Sequence, residues 1–298
     1  MGCGQRSAIS VGKPGWLRRR LPSGPEYENV RRLLRGSQLH TVCQEAKCPN
    51  QFECFARGTA TFMILGDRCS RNCRFCAVRH EAPLPPDPGE PERVAEAVAS
   101  LGLRYVVITS VTRDDLADGG ASAFAATIRA VREKAPAARV EVLIPDLQGD
   151  WEALSVILAA GPHVLNHNVE TIPRLYPLVR PQARYLRSLA LLAEVKRVMP
   201  HMVCKSGMML GLGESVDELR QVWNDLRRTS CDILTMGQYL QPSPANLPVV
   251  RFLPPEEFAA LRDEALSCGF AGVASGPFVR SSYEADKLWR QASKSLAD

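Results

Sequence analysis

The sequence predicts an α/β fold: a partial (β/α)6 barrel of the TIM type, with amino-terminal and carboxy-terminal extensions covering it. Three observations lead there. From about residue 58 onward, strand-like and helix-like runs alternate six times, the pattern of a parallel sheet with crossover helices. The turn after the first strand lacks the Gly-x-Gly-x-x-Gly string of a doubly wound dinucleotide fold and carries cysteines instead. Polar residues recur at the carboxyl ends of several other strands, where a barrel builds its site. Six units rather than eight leave a barrel open, so the flanking segments are available to cover it.

In chain order, strands are expected at 59–65, 105–111, 140–144, 164–169, 202–210 and 233–239. Helices are expected at 92–101, 121–134, 151–160, 183–198, 214–229 and 255–267. Pro91 suits a first helical turn, and Ser215 with Glu218 makes a capping box ahead of Val216, Leu219, Trp223 and Leu226 at helical spacing. Before this array the chain is basic and punctuated by Pro and Gly, with one short helix around 28–34. The expected organisation is therefore an amino-terminal extension over 1–57, a barrel over 58–268 and a carboxy-terminal extension over 269–298.

Composition excludes other classes. Hydrophobic residues make up 45% of the 298 and charged residues 23%, near globular averages, so the chain is neither disordered nor fibrous. The longest apolar run is five residues, for example Val156 to Ala160. A bilayer-spanning helix needs roughly 18. The net charge of +5 is unevenly spread: residues 1–60 hold ten basic and four acidic side chains, and the remaining 238 sum to −1. That basic end, with Arg18, Arg19, Arg20, Arg31 and Arg32, favours an acidic partner or nucleic acid, the plain alternative being a solvated surface. The opening MGCGQRSAIS has no apolar stretch of a secretory signal, and Arg6 stands where myristoylation asks for Ser or Thr. A cytoplasmic location is expected.

Six of the ten cysteines fall between Cys43 and Cys76, and such clustering without a secretory signal points to metal. Cys204, Cys231 and Cys268 read as small buried apolar side chains. Cys69, Cys73 and Cys76, in CSRNCRFC, form a C-x3-C-x2-C triad. Three thiolates on a tight loop can hold three irons of a cubane and leave the fourth open to chelate a cofactor. A zinc site would ask for a fourth ligand, which His80 is placed to offer.

At these residues the chain resembles the radical S-adenosylmethionine superfamily, through the triad, through Phe75 before its last cysteine, and through the six β/α units. That resemblance implies a 4Fe–4S cluster and S-adenosylmethionine, cleaved to a radical that abstracts hydrogen from an unactivated carbon. A second triad, Cys43, Cys48 and Cys54 in TVCQEAKCPNQFEC, lies upstream and implies a second cluster. The ordered pair of triads is similar to the lipoyl synthase family, and HTVCQEAKCPN, ATFMILGDRCSRNCRFCAV, TRDDLADGGA, LNHNVET, KSGMMLGLGE, GQYLQPS and GPFVRSSY extend the match over nearly the whole chain.

The resemblance implies that Cys69, Cys73 and Cys76 hold the radical-generating cluster. Cys43, Cys48 and Cys54 then hold an auxiliary 4Fe–4S cluster whose fourth iron takes Ser282, with Ser281 as the alternative. The implied reaction inserts sulfur at carbons 6 and 8 of an octanoyl chain on a carrier lysine, with the auxiliary cluster as sulfur donor. The implied partners are octanoylated carriers, namely lipoyl domains of 2-oxoacid dehydrogenases and the glycine cleavage H protein, with reduced flavodoxin or ferredoxin as electron donor and neither nucleic acid nor membrane. Asn168 and Glu170, at a strand end, are candidates for the cofactor's ammonium or ribose, or serve as an ordinary strand-end cap. Gly211 and Gly213 bring backbone close to an adenine, or simply make a β-to-α turn. Arg113, Asp114, Asp115 and the Asp118-Gly119-Gly120 turn stay open in the same way. Competing readings are biotin synthase, a tRNA methylthiotransferase, and a zinc-scaffolded nucleic-acid-binding protein; here the second triad precedes the first, and no length remains for extra domains.

Overall fold

In the computed structural model, residues 14–18, 28, 32, 36, 39–45, 48, 50, 53–54 and 61–295 are described. Among these residues the frame is one sheet of eight strands in chain order, not closed on itself. Its parallel part runs from β2 (Thr61–Ile64) through β3 (Tyr105–Ser110), β4 (Arg139–Leu143), β5 (Val164–Asn166), β6 (Val203–Leu210) and β7 (Ile233–Gln238) to β8 (Gly272–Gly276). β1 (His40–Thr41) adds an antiparallel edge to β2, with His40 opposite Met63, and leads directly into the short helix α1 (Val42–Glu45), which carries Cys43.

The helices follow from local sequence. Glu90 and Glu92 favour the first turn of α2 (Glu90–Ser100), with Pro91 at its start. α3 (Ala121–Lys134) ends in Arg132 and Lys134, and α4 (Trp151–Ala159) is capped by Asp150, which accepts from the Glu152 and Ala153 N–H groups. After the single turn of α5 (Tyr176–Val179) comes α6 (Tyr185–Val198). α7 (Val216–Arg228) carries the expected capping box of Ser215 and Glu218 and buries Leu219, Val222, Trp223 and Leu226. α8 (Pro255–Ser267) precedes β8.

Two strands escape the sequence reading. β1 is two residues long. β8, Gly-Val-Ala-Ser-Gly, falls in the segment read as carboxy-terminal extension, because it is poor in β-branched residues and shows no alternation. It extends the parallel sheet by one strand beyond six β/α units. The helix expected around 28–34 lies for the most part outside the described residues.

The floor of the barrel is polar and then apolar. Tyr105, Glu141, Asn166 and Lys205 come from four consecutive strands. Lys205 donates to Glu141 at 2.9 Å with both side chains fully buried, and Tyr105 (2.6 Å) and Asn166 (3.2 Å) donate to the same carboxylate. Beneath them α9 (Ala285–Ser295) packs Leu288 and Ala292 on Val164, Val203 and Ile233, the first residues of their strands, so this helix closes the amino-terminal end of the barrel. Removing one partner of a buried ion pair strands the other charge, at a cost of about 3–5 kcal/mol. Lys205→Met should lower unfolding free energy by about that amount, whereas Lys205→Met with Glu141→Leu should recover most of it. Denaturant titrations test this, and an equally unstable double variant would show that the pair itself is not the source.

Candidate active site

The carboxyl ends of the strands enclose a cavity of about 590 Å³. Cys43, Cys48, Cys69, Cys73, Cys76, Asn168, Glu170, Arg180, Ser281 and Ser282 all line it.

The first triad sits on the loop after β2, which has almost no regular structure and is tied down from outside. Cys69 N–H donates to the Arg79 carbonyl (2.8 Å), and Ser70 donates through both N–H and hydroxyl to the Thr112 carbonyl. Arg74 N–H donates to Val179, and Asn246 Nδ2 donates to the Cys76 carbonyl at 2.9 Å. The strongest tie is Arg71. Its buried guanidinium forks onto Asp114 (2.6 and 2.9 Å) and reaches Asp146 at 2.5 Å. Burial works against the charge on Asp146, yet the hydrogen bond from Arg71 holds its carboxyl below the usual range. The Asp114 of the open motif is thus a support for the cysteine loop. Arg113 forks onto Asp115, and Asp118 accepts from Gly120 and Ser122 N–H ahead of α3.

Glu170 and Asn168 reach the cavity through a bulge. Asn166 lies opposite Lys205 and Glu170 opposite Met208, so four steps on one strand face three on the other. Glu170 takes a left-handed φ of 66°. The carbonyls freed at the bulge are satisfied by Arg180 Nη1, which donates to Asn168 (2.9 Å) and Val169 (3.3 Å), and by the Tyr176 hydroxyl on Val169 (2.8 Å). Asn168 Nδ2 donates to Glu170 Oε1 (3.1 Å) and to Ser281 Oγ (3.3 Å), while its Oδ1 is buried without a partner. Burial raises the Glu170 carboxyl, opposed by the charge of Arg180.

The second triad lies on the amino-terminal segment, and the Phe278–Tyr283 loop comes down beside it. Cys48 N–H donates to the Cys43 carbonyl (3.2 Å) and Cys54 N–H to Asn50 (2.9 Å). The loop lies flat on β7 because Gly237 has no side chain: a Cβ there would overlap the Val279 carbonyl oxygen. Ser281 is held by Asn168, and the Ser282 hydroxyl makes no hydrogen bond among the described residues.

Both triads fit iron–sulfur clusters. None of the six cysteines is disulfide-bonded. Burial, then neighbouring thiols, push Cys76 up to about 12 and Cys43 higher still, and burial outweighs Arg180 in raising Cys73 to about 11. A raised pKa keeps these thiols protonated and unreactive on their own, and a soft cation that binds them displaces those protons. Their soft, three-plus-three donor set matches iron–sulfur chemistry better than a hard-metal site.

Of the other expected residues, Gly211 and Gly213 lie outside the cavity lining. Gly211 N–H donates to Glu214 (2.6 Å), its φ of 98° and the adjacent Arg251 carbonyl leave no space for a side chain, and the Gly213 carbonyl accepts from Arg174 (2.9 Å). Their local geometry is that of a β-to-α turn. Sequence reasoning missed Arg71, Arg180, Asn246 and Gly237. Glycine inside a strand run, in MGQY, was a usable sign of close backbone approach; a lone arginine carried none.

Comparison with known proteins completes the assignment. The Radical SAM superfamily model matches residues 63–226, and the parallel barrel with three thiols after its first strand defines a radical S-adenosylmethionine enzyme. Among solved structures, methylornithine synthase shares the fold at 13% identity over 90% of this chain and 88% of that one, TM-score 0.52. Streptococcus suis SuiB, solved with S-adenosylmethionine bound, shares it at 12% identity over 73% of this chain and 51% of that one, TM-score 0.54. Residues 5–48 match the N-terminal domain of lipoyl synthase. The curated lipoyl synthases of Desulfotalea psychrophila (66% identical, 95% of each chain) and Methylococcus capsulatus (59%, covering 92% of this chain and 86% of that one) resemble it nearly end to end. The chain belongs to the lipoyl synthase family. It is a sulfur-inserting enzyme that uses two 4Fe–4S clusters and S-adenosylmethionine, acts on a protein-bound octanoyl chain and draws electrons from a donor.

His167, at the base of the bulge, gives a pH test. Its Nδ1–H donates to the Ile144 carbonyl (2.9 Å) and its Nε2 accepts from the Ser188 hydroxyl (2.9 Å), which fixes a neutral ring. Burial first, and then Arg180, push its pKa down to about 4. The unfolded ring titrates near ~6.5. The stabilisation is therefore complete above the unfolded value and is lost as pH falls towards 4. Between pH 7 and 4 the stability difference between wild type and His167→Gln should shrink by about 3 kcal/mol in denaturant titrations; parallel pH profiles would refute this.

Proposed function

We propose that Cys69, Cys73 and Cys76 hold the radical-generating cluster, and that Cys43, Cys48, Cys54 and Ser282 hold the auxiliary one. The observation that carries this reading is that five of the six cysteines and Ser282 line one cavity, and that Cys54 is joined to the same segment by its N–H donating to the Asn50 carbonyl. When bound, the clusters and S-adenosylmethionine supply hydrogen abstraction at carbons 6 and 8 of the octanoyl chain and the two sulfur atoms placed there. Such C–H bonds have no acidity, so the chemistry belongs to the cofactors, and the protein's part is binding and orientation.

The residues divide that part among themselves. Glu170 and the Asn168 carboxamide offer acceptors for the cofactor's ammonium or ribose hydroxyls. The buried guanidinium of Arg180, whose Nε lacks a hydrogen-bond partner, offsets negative charge beside Cys73. Met63, Val111, Ile144, Met208 and Met209 line the same cavity and exclude water from the alkyl chain. Ser282 is favoured over Ser281 because its hydroxyl is uncommitted, whereas Ser281 accepts from Asn168.

The carriers proposed are lipoyl domains of 2-oxoacid dehydrogenases and the glycine cleavage H protein, with reduced flavodoxin or ferredoxin as donor, in the cytoplasm. No helix among the described residues is long and apolar enough to cross a membrane. The proposed organisation is an amino-terminal part over 1–57, a barrel over 58–268 and a carboxy-terminal part over 269–298, with β1 and β8 lent to the sheet by the two outer parts and the basic first part steering acidic carriers.

Two experiments test this. Cys73→Ala should abolish 5′-deoxyadenosine formation, while Cys48→Ala should keep it and yield no thiolated product by mass spectrometry; lipoyl formation by Cys48→Ala would overturn the sulfur-donor assignment. Neutralising Arg18, Arg19 and Arg20 should raise KM for an intact carrier severalfold at low salt and spare a short octanoyl-peptide. An unchanged carrier KM would count against steering.

A further inference from the structure

The loop that carries the two serines is held at several points, and two of its anchors belong to the second triad's own segment. Asn50 stands between Cys48 and Cys54, is 1% exposed, and its Nδ2 donates to the Phe278 carbonyl at 2.7 Å. Five residues further along the loop, the Tyr283 hydroxyl donates to Glu53 Oε1 at 3.0 Å. On the barrel side, Asn168 holds Ser281, and Gly237 lets Val279 lie against β7. Ser282 sits inside this frame.

Asn50 is chemically conspicuous. Its Oδ1 is buried with no hydrogen-bond partner among the described residues, a loss that a leucine of similar size would avoid. What leucine cannot do is donate to a carbonyl. We propose that Asn50 is a positioning residue: it clamps the 278–283 loop onto the Cys48–Cys54 segment and thereby presents the Ser282 hydroxyl to the second triad. The inference rests on the reading of Ser282 as that cluster's fourth protein ligand. A serine oxygen is a weaker partner for iron–sulfur iron than a thiolate, so its occupancy depends on how tightly the loop concentrates it at the site. Because the anchors are bonds between protein groups, the hydroxyl can leave and return while the loop stays in place.

The test uses the anaerobically reconstituted holoprotein. Asn50→Asp keeps the volume and turns the donor into an oxygen that faces the Phe278 carbonyl. Three readouts apply: hydrogen exchange over 277–284, release of iron to a ferrous chelator with the first cluster's iron as internal reference, and the 57Fe Mössbauer component of the oxygen-ligated iron. We expect exchange over 277–284 to accelerate about tenfold. Iron loss from the second cluster should rise by about the same factor, with the distinct Mössbauer component gone. Ser282→Ala should reproduce the iron loss and the spectral change while exchange stays slow. Slow exchange in Asn50→Asp, or fast exchange with wild-type iron release and spectrum, overturns the clamp. Wild-type iron release and spectrum in Ser282→Ala overturn the ligand reading, and the clamp's presentation role with it, while the exchange result still scores the loop anchor separately. Should Asn50→Asp fail to load iron at either triad, Asn50→Ala, which removes the donor without adding charge, is scored by the same criteria.

Discussion

A loop that must turn three thiols inward cannot also satisfy its own backbone with regular structure, so something else has to hold it. Here that work falls to Arg71, buried between Asp114 and Asp146 in the ends of two neighbouring β/α units. The guanidinium's fixed fork suits two carboxylates approaching from different directions, and a lysine would satisfy only one direction at a time. Asp146 is in turn approached by Arg187 from α6 at 3.3 Å, so the cysteine loop, the β4 end and an outer helix share one charge network. Losing Arg71 would leave the fully buried Asp146 with only the longer contact to Arg187, so the centre of the network is costly to disturb.

That rigid base lets irregular backbone occur where the chemistry needs it. The bulge after β5 pushes Asn168 and Glu170 into the cavity, and its freed carbonyls are met by Arg180 and Tyr176. The polar floor of Glu141 and Lys205, sealed by α9, separates this chamber from bulk water below. The cavity therefore opens on the side of the cysteine loop, opposite that floor.

Much of this was legible in the residues. Six clustered thiols, in two ordered triads, announced their chemistry because metal ligation depends on residue type and short spacing, both of which a sequence displays directly. The six β/α units were legible for a similar reason: capping at Ser215 and periodic burial at Leu219, Trp223 and Leu226 are local properties. The bulge was not legible, since register against a neighbouring strand is set by pairing across the sheet. β8 was not legible because Gly272–Gly276 borrows its conformation from β7. Gly211 and Gly213 show the converse, a glycine pattern that serves a turn and a ligand equally well in sequence and that only three-dimensional placement separates from the cavity.

The contacts that join Asn50 to Phe278 and Glu53 to Tyr283 span 228 and 230 residues. Closures of that length come late in folding, after the local β/α units have formed, because their entropy cost is recovered only when both partners are already in position. On a ribosome the first triad is complete when little more than a quarter of the chain has been made, whereas the second waits for residues made near the end. A nascent chain thus carries all six cysteines long before the loop that covers three of them has been made. The frame around the second triad is thus completed only when two stretches of chain made far apart in time have come together.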